Sequence, residues 1–204
     1  RGLGYVYKRQ AFLDIAKTER EASAEIVKMA KARGFVEFCA KNKYKPGDKV
    51  FYLNREKSVI LAVIGKESIE NGVNLVAAHI DSPRLDLKQN PLYEAGDMAY
   101  LDTHYYGGVK AYHWVATPLA LHGVICKKDG TTVDIAVGED PADPVFCISD
   151  LLIHLASDQM EKPAGKAVDH ENLDVIVAGR PVVIEGDEEV KEPVKQMFLD
   201  LIKE

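Results

Sequence analysis

The most constraining feature of the sequence is the predicted strand at residues 75–80, whose first four residues, 75–78, are apolar on both faces. Successive residues of a strand point to opposite faces, so this pattern predicts a buried strand covered by helices on both sides. Residues 58–65 form a second apolar run of similar length. Both runs fall well short of the ~20 residues that a membrane-spanning helix needs. The chain is therefore predicted to fold around a buried sheet and to lack a membrane span.

The elements before this run predict an α/β fold. Residues 11–33 carry apolar side chains at helical spacing and end at Gly34, a typical helix-terminating residue. Residues 50–53 and 59–64 are predicted to be two strands joined by a polar turn. A helix followed by consecutive strands is the expected opening of an α/β sheet domain.

The sequence changes character after residue 88, where tyrosines accumulate. A Lys-Asp-Gly turn between two apolar stretches predicts a hairpin, Ser149 is a candidate helix cap, and a further strand is expected. The predicted elements are strands at residues 119–126 and 131–137, a helix at 150–160 and a strand at 173–178. Residues 89–204 are accordingly predicted to form a β-rich second domain.

Charge and cysteine content narrow the function classes. The 204 residues contain 26 Lys and Arg against 32 Asp and Glu, which gives a net charge of −6. A basic nucleic-acid footprint is therefore missing. Three widely spaced cysteines, at positions 39, 126 and 147, favour reduced thiols in a cytoplasmic protein over a secreted disulfide framework.

Both ends of the chain are unusual. Residues 6–10 read like the translation of a sequencing-adapter oligonucleotide, so residues 1–10 are interpreted as non-native. At the other end, an amphipathic helix is predicted to begin near Pro193, and no helix-stop signal follows Ile202. The native gene is expected to continue past Glu204.

The candidate chemical site is His79-Ile80-Asp81, at the end of the predicted buried strand. Residues i and i+2 of a strand share a face, and open α/β sheets bind ligands at strand ends. A neutral imidazole is a good metal ligand, and a nearby carboxylate can fix its tautomer. The tripeptide alone more often has a structural or surface role, and the reversed order at residues 102–104 shows how easily it arises.

Longer segments add a family resemblance. Four of them, in order, resemble the aminopeptidase I/aspartyl aminopeptidase family of dinuclear zinc peptidases: residues 74–88, 104–114, 118–130 and 143–160. The resemblance covers residues 11–204. It implies an α/β/α sandwich catalytic domain, of which residues 11–88 are the first part, with a β-rich domain (89–204) inserted after the His-x-Asp strand.

The resemblance also implies roles for individual residues. His79 would be a zinc ligand and Asp81 the catalytic carboxylate that orients the metal site. The remaining ligands and the glutamate general base are expected beyond Glu204. The adjacent pair Glu188-Glu189 is instead interpreted as a solvated helix start.

A histidine of the inserted domain is implied to contact substrate in a neighbouring subunit of a large homo-oligomer. His154 is the candidate, with an exposed helical histidine as the other interpretation. Structural or surface roles are expected for the histidines at positions 104, 113, 122 and 170. The segment Tyr106-Gly107-Gly108 lacks the third glycine and the tryptophan-rich acidic stretch of aspartyl-specific members, so an acidic substrate preference is not implied.

The implied mechanism is hydrolysis of an N-terminal peptide bond, with two divalent ions activating a water. Two alternatives stay open: a metal amidohydrolase of the same superfamily acting on acylated amino acids, and a non-catalytic assembly module. By itself, the 204-residue chain is expected to be inactive and marginally folded.

Overall fold

The computed structural model describes residues 3–182 and 191–203, which form two compact units divided between Ser82 and Pro83. The predicted boundary was six residues later, between residues 88 and 89. It would have cut β4 (Arg84–Ala95), a single strand that belongs wholly to the second unit. Both units mix helices and strands, as the predicted α/β class requires.

The first unit contains two helices and one three-stranded sheet. Its elements are α1 (Leu3–Ile15), α2 (Glu19–Lys31), β1 (Val36–Glu37), β2 (Lys49–Asn54) and β3 (Ser58–Val63). The sheet order is β1-β2-β3, with β1 parallel and β3 antiparallel to β2. Helix α2 packs on β2 and β3 and buries Ala22, Val27 and Ala30.

The single helix predicted at residues 11–33 is wrong, because two helices occupy this region. Thr18 starts the second one through reciprocal hydrogen bonds with Glu21. The Thr18 Oγ1 accepts from the Glu21 amide at 3.3 Å, and the Glu21 carboxylate accepts from the Thr18 amide at 2.8 Å. This capping box satisfies two amides that a continuous helix would have paired internally. Helix α1 includes residues of the segment interpreted as non-native, and that interpretation stays a prediction.

The hairpin predicted at residues 50–64 is confirmed. Strands β2 and β3 pair from Lys49–Val63 to Asn54–Ser58. Three residues, 55–57, join the paired ends of the strands, and the Lys57 amide donates to the Asn54 carbonyl at 3.0 Å. Arg55 and Glu56, the two central residues of this turn, adopt positive φ angles of 51° and 60°.

The buried strand predicted at residues 75–80 is wrong. These residues have no regular secondary structure, and Leu75 and Val76 are 81% and 96% exposed. A strand that is apolar on both faces needs neighbouring strands and covering layers. No strand among the described residues pairs with this segment.

The second unit is built around an antiparallel sheet and a separate hairpin. Its elements are β4, β5 (Met98–Tyr106), β6 (Leu121–Cys126), β7 (Thr132–Val137), α3 (Ser157–Met160), α4 (Ala164–Ala167), β8 (Val175–Ala178) and α5 (Pro193–Lys203). The sheet order is β4-β5-β8, and β6 pairs with β7. The hairpin, the strand β8 and the helix start at Pro193 are as predicted.

The core of the second unit lies between this sheet and α5. Phe198 of α5 meets Phe146 edge to face, with ring centroids 6.1 Å apart. Leu101, Leu173 and Val194 are almost fully buried in the same cluster. Helix α5 thereby covers one face of the sheet.

The helix predicted at residues 150–160 is wrong. Only a 3-10 turn (Ile153–Leu155) and the single turn α3 form there. Leu152 is extended, with φ −64° and ψ 148°. The Asp150 carboxylate accepts hydrogen bonds from the Leu151 amide and the Gln159 side chain, which holds this non-helical arrangement.

Among the described residues, the helices are too short or too polar to span a membrane.

Candidate metal centre

The His79 side chain is the candidate metal ligand, and it lies at the end of the exposed segment in the first unit. Its side chain is 82% exposed, and Ser82-Pro83 comes directly after Asp81. Proline restricts the preceding residue to extended conformations, so no helix begins at the site. The imidazole is thus accessible from solvent.

The predicted pairing of His79 with Asp81 is present, although the strand expected to produce it is not. The His79 Nδ1 lies 3.3 Å from the Asp81 Oδ1 and 3.0 Å from the Asp81 carbonyl oxygen. Both oxygens are acceptors, which favours the tautomer with the proton on Nδ1. That tautomer leaves the Nε2 lone pair available for a metal ion.

The donor set within the described residues is nevertheless incomplete. A zinc site takes three or four protein ligands, and no group of three or more His, Cys, Asp or Glu suited to a metal ion occurs in the described part of the chain. His79 and Asp81 therefore fit one imidazole ligand with its orienting carboxylate. The pair Glu188-Glu189 lies outside the described residues.

His154 belongs to the second unit, in the 3-10 turn rather than on a helix. Its side chain is exposed. The apolar side chains at positions 151, 152, 153 and 155 beside it are between 55% and 71% exposed.

The other described histidines make contacts within the second unit. His104 lies 3.0 Å from the Glu171 carboxylate, and His122 lies 3.0 Å from that of Glu139. His170 contacts the Val109 carbonyl oxygen at 3.2 Å. His113 meets the ring of Tyr112 edge to face.

The sequence analysis did not identify a cluster of hydrogen-bonded polar side chains on the sheet of the second unit. The Tyr93 hydroxyl donates to the Asp174 Oδ2 at 2.8 Å, and its ring stacks on Tyr100. Burial, and then this hydrogen bond, raise the pKa of Tyr93 well above its usual value. Nearby, Lys88 binds Asp102 at 2.7 Å, and this hydrogen bond raises the Lys88 pKa. These partners are far apart in sequence, so no local pattern indicated them.

The Tyr-Gly-Gly segment lies against Pro83, the first residue of the second unit. Gly107 has a φ of 74°, and a Cβ at this position would lie 3.6 Å from the Pro83 Cα. The space is sufficient for a methyl group, so the positive φ is what calls for glycine here.

Comparison with known proteins identifies the family. The profile described as "Aminopeptidase I zinc metalloprotease (M18)" matches residues 12–204. A "Probable M18 family aminopeptidase 1" from Clostridium acetobutylicum is 50% identical over 197 residues, covering 95% of this chain and 42% of the relative. The corresponding protein from Thermotoga maritima is 42% identical over 193 residues, covering 95% of this chain and 41% of the relative.

The comparison with solved structures identifies the same family. The crystal structure of the M18 aminopeptidase from Thermotoga maritima matches with a TM-score of 0.88 at 39% identity, covering 98% of this chain and 43% of that one. Aminopeptidase I from Clostridium acetobutylicum gives 0.82 at 45% identity, covering 96% and 43%. The chain thus spans less than half the length of these relatives. On sequence and fold together, it belongs to the aminopeptidase I (M18) family of zinc metalloproteases.

Proposed function

We propose that the complete gene product containing this chain is a zinc-dependent aminopeptidase that removes the N-terminal residue of peptides. The observation that carries the proposal is the contact between His79 and Asp81, with Nδ1 and Oδ1 3.3 Å apart. This contact supports the proposal because it leaves an imidazole nitrogen available beside a carboxylate, and the resemblance implies a metal ligand and an orienting carboxylate at these two residues. Family membership supports the choice of zinc.

In this proposal, His79 and Asp81 have separate roles. His79 would hold one metal ion through Nε2, while the Asp81 oxygens keep the proton on Nδ1. When bound, two divalent ions would polarise the scissile carbonyl and lower the pKa of a water. The other ligands and the general base would come from chain beyond Glu204.

The domain roles and partners are part of the same proposal. With the boundary moved to the division that the structure shows, residues 11–82 would begin an α/β/α sandwich catalytic domain, and residues 83–204 would form an inserted domain for self-association. The apolar side chains between Leu151 and Leu155 support self-association because they are exposed in the described structure. His154, among them, would reach a peptide in a neighbouring subunit. The enzyme is proposed to act in the cytoplasm.

The test is His79→Ala in the full-length protein, with His113→Ala as the matched control. His113 is also exposed, and its ring meets that of Tyr112 edge to face. The His79 variant should lose a bound metal equivalent and nearly all hydrolysis of a peptide with a free N-terminus. The His113 variant should keep both.

Two results would contradict the proposal. One is full activity of the His79→Ala enzyme. The other is preferential cleavage of N-acylated peptides over peptides with free N-termini, which would favour an amidohydrolase.

A further inference from the structure

One stretch of the first unit carries a local excess of positive charge. Residues 28–49 contain seven basic and two acidic side chains, which gives a net charge of +5 in a chain whose overall charge is −6. Part of this excess is engaged in other contacts. Arg33 and Lys49 donate to the carbonyls of Met29 and Arg33 at 3.0 Å each, Lys28 pairs with Glu25 at 3.0 Å, and Lys31 lies over the Phe51 ring. Lys41, Lys43 and Lys45 remain.

Two of the remaining lysines, Lys41 and Lys43, line an open cleft of about 500 Å³. Asn42 and Lys49 also line it, although the Lys49 ammonium group already donates to the Arg33 carbonyl. Lys41 and Lys43 are exposed and pair with no carboxylate among the described residues. The one acidic residue in the lining, Asp48, accepts a hydrogen bond from the Lys45 amide at 2.8 Å. The cleft is therefore predominantly cationic.

The loop that carries Lys41 and Lys43 is held in place by its own contacts. The Tyr44 hydroxyl accepts from the Cys39 amide at 2.8 Å and donates to the Cys39 carbonyl at 3.2 Å. The Tyr44 ring also stacks on Phe38. The Gly47 amide donates to the Ile64 carbonyl, which joins the loop to the sheet. A fixed loop reduces the entropy lost on binding.

We propose that this cleft binds a small multivalent oxyanion, carrying either phosphoryl or carboxylate groups. The ammonium groups of Lys41 and Lys43 would supply the attraction, and Tyr44 would act as a positioning residue. The site is separate from the zinc chemistry proposed above and needs no metal ion.

The test measures binding of tripolyphosphate and of citrate to the full chain by calorimetry at low salt. The double variant K41Q/K43Q should bind about tenfold more weakly or worse, since exposed charge contacts are individually modest. The matched control K127Q/K128Q removes the same charge from exposed positions in the second unit and should bind like the unmodified chain. Circular dichroism verifies that all variants are folded.

A variant that keeps the charge tests the positioning role. Tyr44→Phe should weaken binding severalfold, because the loop loses its tether to Cys39. Binding of tripolyphosphate alone would identify a phosphoryl ligand, binding of citrate alone a carboxylate ligand, and binding of both a general oxyanion site. No binding of either probe, or equal weakening by the two lysine double variants, would overturn the proposal.

Discussion

At the scale of single residues, the Asp81 carboxylate lies 3.3 Å from His79 and is the group proposed to orient it. Asp81→Asn in the full-length protein should lower kcat/KM and zinc affinity about 10- to 100-fold, because an amide orients the ring less strongly than a carboxylate. The fold should be unaffected, since Asp81 lies in a segment without regular structure. Steady-state kinetics and zinc titration measure the effect.

The control is Asp97→Asn, the same chemical change at an exposed turn residue. Its kcat/KM should match that of the unmodified enzyme. If the Asp81 and Asp97 variants were equally active, the orienting role of Asp81 would be wrong.

Tyr93 is the residue whose ionisation should respond most visibly to its surroundings. Burial and the Asp174 hydrogen bond raise its pKa in the folded protein. Because the folded state then holds the proton more tightly than the unfolded chain, this contribution to stability is complete below about pH 10 and is lost at higher pH. The free energy of unfolding should therefore fall above pH 10.

Two variants separate the Tyr93 contribution from others. Tyr93→Phe should make the alkaline loss of stability shallower, as measured by denaturant unfolding between pH 9 and pH 11. Asp174→Asn should move the ultraviolet ionisation step of Tyr93 to lower pH. An identical pH profile in the Tyr93→Phe variant would show that the hydroxyl makes no such contribution.

At the scale of elements, a carboxylate of β4 caps helix α5 across about a hundred residues of chain. The Glu94 Oε2 accepts from the amides of Val194 and Lys195 at 3.0 and 2.9 Å. Both amides belong to the first turn, where they have no hydrogen-bond partner within the helix, and they lie at the positive end of the helix dipole. Glu94→Ala should lower the free energy of unfolding by about 1–2 kcal/mol, measured by denaturant unfolding.

Glu192→Gln is the control for charge near the same helix. Glu192 makes an exposed ion pair with Lys195 at 2.8 Å, and such pairs contribute at most about 0.5 kcal/mol. A Glu94→Ala effect no larger than the Glu192→Gln effect would show that the cap is unimportant.

Elements defined by neighbouring residues were predictable from the sequence. The turn between β2 and β3, the β6–β7 hairpin and the start of α5 at Pro193 all follow from local turn and helix chemistry. The capping box at Thr18 was also local, but it was overlooked within a longer apolar pattern. The strand predicted at residues 75–80 was wrong for a different reason. An apolar pattern on both faces predicts a strand only where neighbouring strands can pair with it, and no strand among the described residues does so.

At the candidate site too, a contact between residues close in sequence was predictable, whereas contacts between distant residues were not. The spacing of His79 and Asp81 predicted their pairing, and the structure has it without the strand geometry, because two residues so close in sequence meet in several conformations. The contact between Glu94 and α5 joins distant positions, so nothing in a single sequence indicated it.

At the scale of the whole molecule, the decisive property is how many metal ligands the chain can bring together. Stable zinc sites use three or four protein ligands, whereas the described residues provide His79 with its carboxylate partner and no suitable group of three. A single exposed imidazole holds zinc weakly, because each further ligand adds to the affinity without a new entropic cost of association. Metal affinity should therefore depend on the part of the relatives' length that this chain does not span.

The 204-residue chain alone should accordingly bind zinc weakly and show no aminopeptidase activity. The full-length gene product should bind zinc tightly and have aminopeptidase activity. Zinc competition with a colorimetric chelator and hydrolysis of an aminoacyl p-nitroanilide measure the two properties on equal amounts of protein. Adding chelator to the full-length enzyme should abolish hydrolysis, and adding zinc back should restore it. If the 204-residue chain retained zinc against the chelator and hydrolysed the substrate, the ligands expected beyond Glu204 would be unnecessary, and the proposed division of the metal site would be wrong.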